Sequence, residues 1–402
     1  MHTKWKEVRL GDIMSITSGY AYKGEFIGKG DYVLLGMGCV SFSEKFLSSG
    51  ARYYSQEVPD RYLVNEGDIV LATRQQSDNL PILGMPAFIP KRSDDKRLFI
   101  GANLYKVENN SEVDNKFIFW LLKTPFYVDY IKSCQTGTTV RMITKKDIES
   151  FTFMCPSLEE REKISKILWD IDDKIENNRK INENLEQQAQ ALFKSWFIDF
   201  EPFKDGKFID SELGLIPEGW RVGTLDEIAT ITMGQSPSGE SLNDNKDGII
   251  FYQGRTEFGF RYPSIRLYTT EPSRYAEPNS VLLSVRAPVG DINRALIKCC
   301  IGRGLASIRS LFGNDSFLYY LMLSQRTSLD IYNGEGTVFG SINRNALEGL
   351  KIIIPPHKII DKFDEIVVGI DSSIKSHFLE NERLSTLCDT LLPKLMSGEI
   401  EV

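Results

Sequence analysis

The chain has 402 residues, 42% of them hydrophobic and 26% charged, with a formal net charge of −7. That profile excludes a disordered or fibrous chain, and the length allows two or more domains, each with its own core. No apolar run approaches the roughly 20 residues of a membrane helix, the N-terminus has no signal-peptide stretch, and the acidic balance argues against a clamp that holds nucleic acid by bulk charge.

Residues 1–156 alternate short β-rich runs, "DYVLLGM" from Asp31 and "DIVLAT" from Asp68, with Gly and Pro punctuation around a helical segment at "FIFWLL" from Phe117. The mixture predicts a compact domain of mixed α and β structure. From 157 to 200 the period changes. Ile164, Leu168, Ile171, Ile175, Leu185, Ala189, Leu192 and Trp196 alternate spacings of four and three, with Asn178 and Asn182 in the two missing places. This is a heptad stripe on one long helix. Residues 201–219 read as a linker. A second mixed domain follows over 220–356, with "SVLLSV" from Ser280, "FLYYLML" from Phe317 and "LKIIIP" from Leu350. Over 357–402 the stripe returns as Phe363, Val367, Ile370 and Ile374, then His377 and Asn381, then Leu384, Cys388, Leu391 and Leu395.

The chain is therefore a tandem repeat. Trp5, Leu10, Ile13, Ile16 and Gly19 return as Trp220, Leu225, Ile228, Ile231 and Gly234, an offset of 215. "EGDIVLATR" ending at Arg74 meets "PNSVLLSVR" ending at Arg286, an offset of 212. "IGANLYKV" from Ile100 meets "IGRGLASI" from Ile301 at 201, and "GTTVRMI" from Gly137 meets "GTVFGSI" from Gly336 at 199. The shrinking offset marks loop deletions in the second copy. Each stripe, 164–196 and 363–395, covers 33 residues, about 50 Å of helix, with its polar layer near the middle. Antiparallel pairing of the two helices brings Asn178 and Asn182 to His377 and Asn381, where buried polar groups fix register. The alternative is that each helix packs on its own domain.

Six cysteines (Cys39, Cys134, Cys155, Cys299, Cys300 and Cys388) form no CxxC pair, and with three histidines no metal site is expected. The thiols read as reduced, and the chain as cytoplasmic. The helices carry the acidity: 7 basic and 10 acidic side chains in 157–200, 5 and 9 in 357–402, against 20 and 18 in 1–156 and 16 and 18 in 201–356.

Four segments, "PSLEEREKI" from Pro156, "SELGLIPEGW" from Ser211, "LLPKLMSGEI" from Leu391 and the paired Gly-Thr runs, resemble the specificity subunit of type I restriction-modification systems, over essentially the full length. The resemblance implies two target recognition domains, each reading one half of a bipartite sequence in double-stranded DNA. It implies two long helices joined as an antiparallel coiled coil, on which two adenine-N6 methyltransferase subunits dock, and a restriction and translocase subunit in the full assembly. S-adenosylmethionine, ATP and Mg would then be bound by those partners and no cofactor by this chain. A duplicated domain on a rigid spacer suits half-sites that lie about 34 Å apart on one side of B-DNA. The copies differ most after the matched glycines, "YAYKGEFIGKG" against "QSPSGESLNDN", as two different half-sites require.

DNA-binding candidates follow from chemistry. Arg74 and Arg286 stand at matched strand ends and can bind guanine bidentately, while Gln75 and Gln76 can read adenine. Arg141, Lys145 and Lys146, and in the second copy Ser341, Asn343 and Arg344, surround the Gly-Thr turns as phosphate contacts. Lys23, Ser236 and Ser238 lie in the loops after the matched glycines. Structural roles, such as an arginine paired with a carboxylate or a solvated helix start, are the alternatives. Phe193, Trp196, Phe197 and Leu395, near the helix ends, are candidates for docking the methyltransferase, with core packing as their alternative. No catalytic residue is expected. The [DNS]PP[YF] tetrapeptide of an adenine methyltransferase is missing, "GEFIGKG" lacks P-loop spacing, and "PDRYLVNEGD" lacks the lysine of a nuclease motif. His2, His357 and His377 lie in a terminus, a helix start and the polar layer. A nuclease with an unrecognised site, or a scaffold without DNA contact, are the competing functions.

Overall fold

A computed structural model of the chain describes residues 5–76, 81–334 and 340–402. His2 and the second Gly-Thr pair, Gly336 and Thr337, lie outside these residues. Two compact units result, Met1–Asn178 with Leu379–Val402, and Arg179–Phe378.

In the first unit the opening strand Lys6–Arg9 pairs antiparallel with Thr152–Cys155, so the two ends of the domain close on each other. A four-stranded antiparallel sheet runs in the order Met14–Ser18, Leu104–Asn109, Ile69–Ala72, Pro86–Phe88. A second sheet runs Ala51–Tyr54, Ile27–Leu35, Arg97–Ile100, Leu63–Val64, its two middle strands parallel. "DIVLAT" supplies Ile69, Val70, Leu71 and Ala72, all fully buried, because both faces of that strand are covered. Helix Asn115–Leu121 buries five consecutive residues, Phe117 to Leu121, as a helix does at the centre of a core.

The second unit repeats the plan. Arg221–Thr224 pairs with Lys351–Ile354; the antiparallel sheet runs Ala229–Met233, Leu305–Ser310, Val281–Ser284, Ile292–Arg294. Its second sheet again has one parallel pair, Ile249–Tyr252 with Cys299–Ile301. The predicted linker contains a hairpin, Phe208–Ser211 with Gly214–Pro217, and Trp220 is buried against Phe197, Phe200 and Phe203.

The two stripes form helices Leu158–Phe197 and His357–Ser397. The first opens on a reciprocal cap, Ser157 N donating to Glu160 Oε2 at 3.0 Å and Glu160 N to Ser157 Oγ at 3.4 Å. In each unit the helix pair is antiparallel. In the first, Asn178 Nδ2 donates to Asn381 Oδ1 (2.9 Å) and Glu380 Oε2 (2.7 Å), and Asn381 Nδ2 to Ile175 O (3.4 Å). In the second, Asn182 Nδ2 donates to Ile374 O (3.3 Å) while His377 Nδ1 lies 2.8 Å from Asn182 Oδ1. The expected polar layer is thus formed and hydrogen-bonded. The heptad register drifts beyond it. Leu192 and Trp196 are half-buried, and Phe193 and Phe197, one position on, are 3% and 7% exposed. A straight helix has 3.6 residues per turn, so a stripe of period 3.5 rotates along the seam, and at this end the helix faces the partner helix and the domain core together. Both phenylalanines pack edge to face or tilted on Phe317 of the domain and on Phe363 of the partner helix, which Trp196 also meets.

Carboxylates at matched positions, 199 residues apart, tie helix to domain in both units. Asp172 lies 2.8 Å and Asp173 2.6 Å from Lys45 Nζ. Burial works against that ammonium, but the two carboxylates outweigh it and hold its pKa above the ordinary lysine value. Asp371 meets both Arg261 and Arg294, and accepts from Ser316 Oγ at 2.5 Å and Tyr320 Oη at 3.1 Å; Glu186 meets Arg261 from the other helix. Burial pushes the Asp371 carboxyl up, yet the two guanidiniums hold it below the usual carboxylate range. Cys39, Cys299 and Cys300 are buried and all six thiols are free, with burial pushing Cys39 up to about 11.

Candidate nucleic-acid interface

The predicted contact residues converge on one end of the antiparallel sheet in each unit. In the first, Ser18 ends its strand opposite Tyr105 and Ala72 ends its strand opposite Leu104, so the loops carrying Lys23 and Arg74 leave the same sheet end. In the second, Met233 lies opposite Ala306 and Ser284 opposite Leu305, which sends out the loops with Ser236, Ser238 and Arg286. Gly19 N donates to Leu104 O at 3.0 Å, and Gly234 N to Leu305 O at 2.9 Å. A Cβ on either glycine would lie 2.1 Å from the carbonyl oxygen of Gly101 or Gly302, so this crossing admits no side chain.

Residues that follow the Gly-Thr pairs in sequence arrive at the same place. Arg74–Gln75 pairs antiparallel with Arg141–Met142, setting Met142 opposite Arg74. In the second unit Ser341 is bridged to Arg286. Positions 142 and 341 differ by the 199 of the sequence repeat. Arg74 and Arg286 are both exposed, and among the described residues neither guanidinium has a hydrogen bond or ion pair. Several other arginines are matched to acids, among them Arg97 to Asp60 (2.6 Å), Arg221 to Glu227 (2.6 Å) and Arg326 to Asp291 (2.7 Å). An unmatched pair at equivalent sites is positive charge left for an anionic partner.

The remaining candidates divide. Side chains alternate along a strand, so Arg74 points out and Gln75 in: Gln75 is 7% exposed and accepts from Leu83 N at 3.4 Å. Its expected role as an adenine reader gives way to a structural one, whereas Gln76 is exposed. Arg141 is half-buried opposite Gln75. Lys145 is half-buried, 5.9 Å from the Tyr105 ring centroid, and Lys146 is exposed; Thr144 caps their short helix. Asn343 caps helix Arg344–Glu348 by accepting from Ala346 N at 2.9 Å, and Arg344 pairs with Glu348 at 2.7 Å. Lys23, Ser238 and Ser341 are exposed, and Ser236 Oγ accepts from Arg303 N at 3.4 Å. Of the docking candidates, Phe193, Phe197 and Leu395 lie in domain cores and offer a partner no surface; Trp196 is half-buried.

Sequence reasoning missed the clasp around Asp371 and the one around Lys45. The shared offset of Asp172 and Asp371 beside the heptad stripe was the available signal. Asp172, Asp173 and Glu176 also have the spacing of a cation site, and the Lys45 ammonium lies among them at 2.6 to 3.6 Å.

A duplicated mixed α and β domain, each copy presenting matched arginines from one sheet end and each clasped to a long antiparallel helix pair, defines a class of two-headed recognition proteins. The chain belongs to the type I restriction modification DNA specificity domain family, whose model matches residues 2–187 and again 217–386. It is 34% identical to the MjaX type I restriction enzyme specificity subunit of Methanocaldococcus jannaschii, over 76% of this chain and 73% of that one. It is 26% identical to the HindI specificity subunit of Haemophilus influenzae, over 98% and 99%. Among solved structures it shares its fold with the type I restriction-modification S subunit of M. genitalium, at a TM-score of 0.60 and 18% identity, covering 98% and 96% of the two chains.

Proposed function

We propose that this chain reads a split DNA sequence, one half per domain, and itself performs no chemistry. The matched placement of Arg74 and Arg286, exposed at equivalent sheet ends and unpaired among the described residues, carries that reading. Arg74 and Arg286 serve as base readers, with Gln76 and Ser341 beside them. Lys23, Arg141, Lys145, Lys146, Asn343, Arg344, Ser236 and Ser238 act as outer or phosphate contacts, which position without specifying. Two adenine-N6 methyltransferase subunits and a restriction and translocase subunit assemble on the helices, bringing S-adenosylmethionine, ATP and Mg. Among the described residues no helix is long and apolar enough to cross a membrane.

The test is the methylome of a methylation-free host that expresses this chain with the methyltransferase encoded beside it. Adenine methylation at two short specific halves around a fixed gap is the expected result. Arg74→Ala should then relax or weaken one half by about 1 to 3 kcal/mol and Arg286→Ala the other. Equal loss in both halves from either variant contradicts the division of labour.

A further inference from the structure

Arg303 occupies the turn between strands Cys299–Ile301 and Leu305–Ser310, and no feature of the sequence alone marks it. The turn leaves the same sheet end as Arg286. Val285 N donates to Gly304 O at 2.9 Å, so Arg286 and Arg303 each stand one residue from the two partners of a single backbone hydrogen bond. Neighbouring chain segments bonded in this way run about 5 Å apart, comparable with the 3.4 Å step between bases along one DNA strand.

The backbone of this turn is fixed while its side chain is free. Gly302 N donates to Tyr252 O at 2.8 Å, Leu305 N to Gly302 O at 3.0 Å, and Arg303 N to Ser236 Oγ at 3.4 Å. Glycines on both sides leave Arg303 as the one side chain the turn presents. It is exposed, and among the described residues its guanidinium, like that of Arg286, has no hydrogen bond and no carboxylate partner. A guanidinium without an acid, on an anchored turn, beside a second one, matches the edge of guanine, which offers two acceptors to one fork.

The first domain lacks the feature. There Thr73 N donates to Asn103 O at 3.1 Å, the counterpart of the Val285 to Gly304 bond, and the residue matching Arg303 at the offset of 201 is Ala102. One copy therefore presents two adjacent arginines where the other presents one.

We propose that Arg303 is a second base-reading arginine of the second domain, donating to a guanine beside the base pair met by Arg286, and that the first domain has no such reader. The inference rests on the proposed function. It is tested in the assembled methyltransferase complex by selecting methylated duplexes from a library randomised across both half-sites. Arg303→Ala should lower preference at one position of a single half-site by roughly 5- to 150-fold, the range of one bidentate contact. Arg303→Lys, which keeps the charge and loses the fork, should relax the same position. A uniform drop across all sequences with Lys restoring it would make Arg303 a phosphate contact and overturn the proposal, as would an unchanged motif. A wild-type complex that selects no split motif overturns the proposed function itself, whereas a split motif untouched by Arg303→Ala overturns only this inference.

Discussion

Asp371 ties the second long helix to the second domain through four side chains. Two guanidiniums, a hydroxyl and a phenol converge on it, and Arg261 is 1% exposed. Asp371→Asn leaves the buried Arg294 without its carboxylate and Arg261 with Glu186 alone, so a loss of about 3 to 5 kcal/mol in urea unfolding is expected. At the matched Asp172→Asn the loss should stay near 1 kcal/mol or below, because Lys45 keeps Asp173 and Glu176. Asp364 gives a pH signature of the opposite sense. Burial pushes its carboxyl up to about 6, against the N–H it accepts from Phe317 at 2.7 Å. A carboxyl whose folded pKa is raised favours the protonated native state, so its contribution is greatest below about pH 4 and falls away as pH rises towards 6. Asp364→Asn should therefore gain stability relative to the parent between pH 5 and pH 7.5; thermal melts at both values decide this, and a constant difference would refute it. At this scale the sequence was least informative. Gln75 and Gln76 look equivalent in "TRQQ", and the strand's alternation, which buries one and exposes the other, becomes visible only once pairing with Arg141–Met142 is known.

At the scale of elements the long helices were the most legible part of the chain, since apolar spacing alone locates a helix and a polar interruption repeated at one register locates a layer. What the stripe missed near its end is the deeper burial of Phe193 and Phe197 one position on, because periodicity cannot tell a helix facing only a helix from one that also faces a domain. The layer itself is testable as a coupled pair. Asn182→Leu leaves His377 and the Ile374 carbonyl without their partner and should cost about 1 to 3 kcal/mol, given the 2.8 Å contact to His377. Changing His377→Leu as well should recover much of that loss, since removing both polar partners of a buried contact is far less costly than removing one. Additive losses in the cycle would mean the contact does not couple the helices. The strand pairs of the domains were visible as apolar runs, but their order was not, because the parallel pairing of Ile27–Leu35 with Arg97–Ile100 joins segments some sixty residues apart.

For the molecule as a whole, the repeat was the strongest sequence signal and carried the proposed recognition surface with it. Arg74, Arg286 and the two Gly-Thr segments were marked by their matched offsets, and the described residues Met142 and Ser341, 199 apart, pair with Arg74 and Arg286 in space. With 55 acidic against 48 basic side chains, a net charge of −7, the chain offers phosphates no excess of cations. The isolated protein should therefore bind duplex DNA no more tightly than non-specific binders do at physiological salt, about 10⁻⁴ to 10⁻⁶ M, with tight binding appearing on assembly. Fluorescence anisotropy on the free chain and on the complex checks this, and nanomolar binding by the free chain would contradict it. The division of the chain into units has a further consequence, for how it is made. Arg179–Phe378 is one continuous stretch, but the other unit joins Met1–Asn178 to Leu379–Val402. Ile164 and Leu168 share their core with Leu392, Leu395 and Met396. On the ribosome the half translated first must wait for the last residues to emerge, so the interior stretch is positioned to fold before the segment that precedes it, reversing the usual order of vectorial folding.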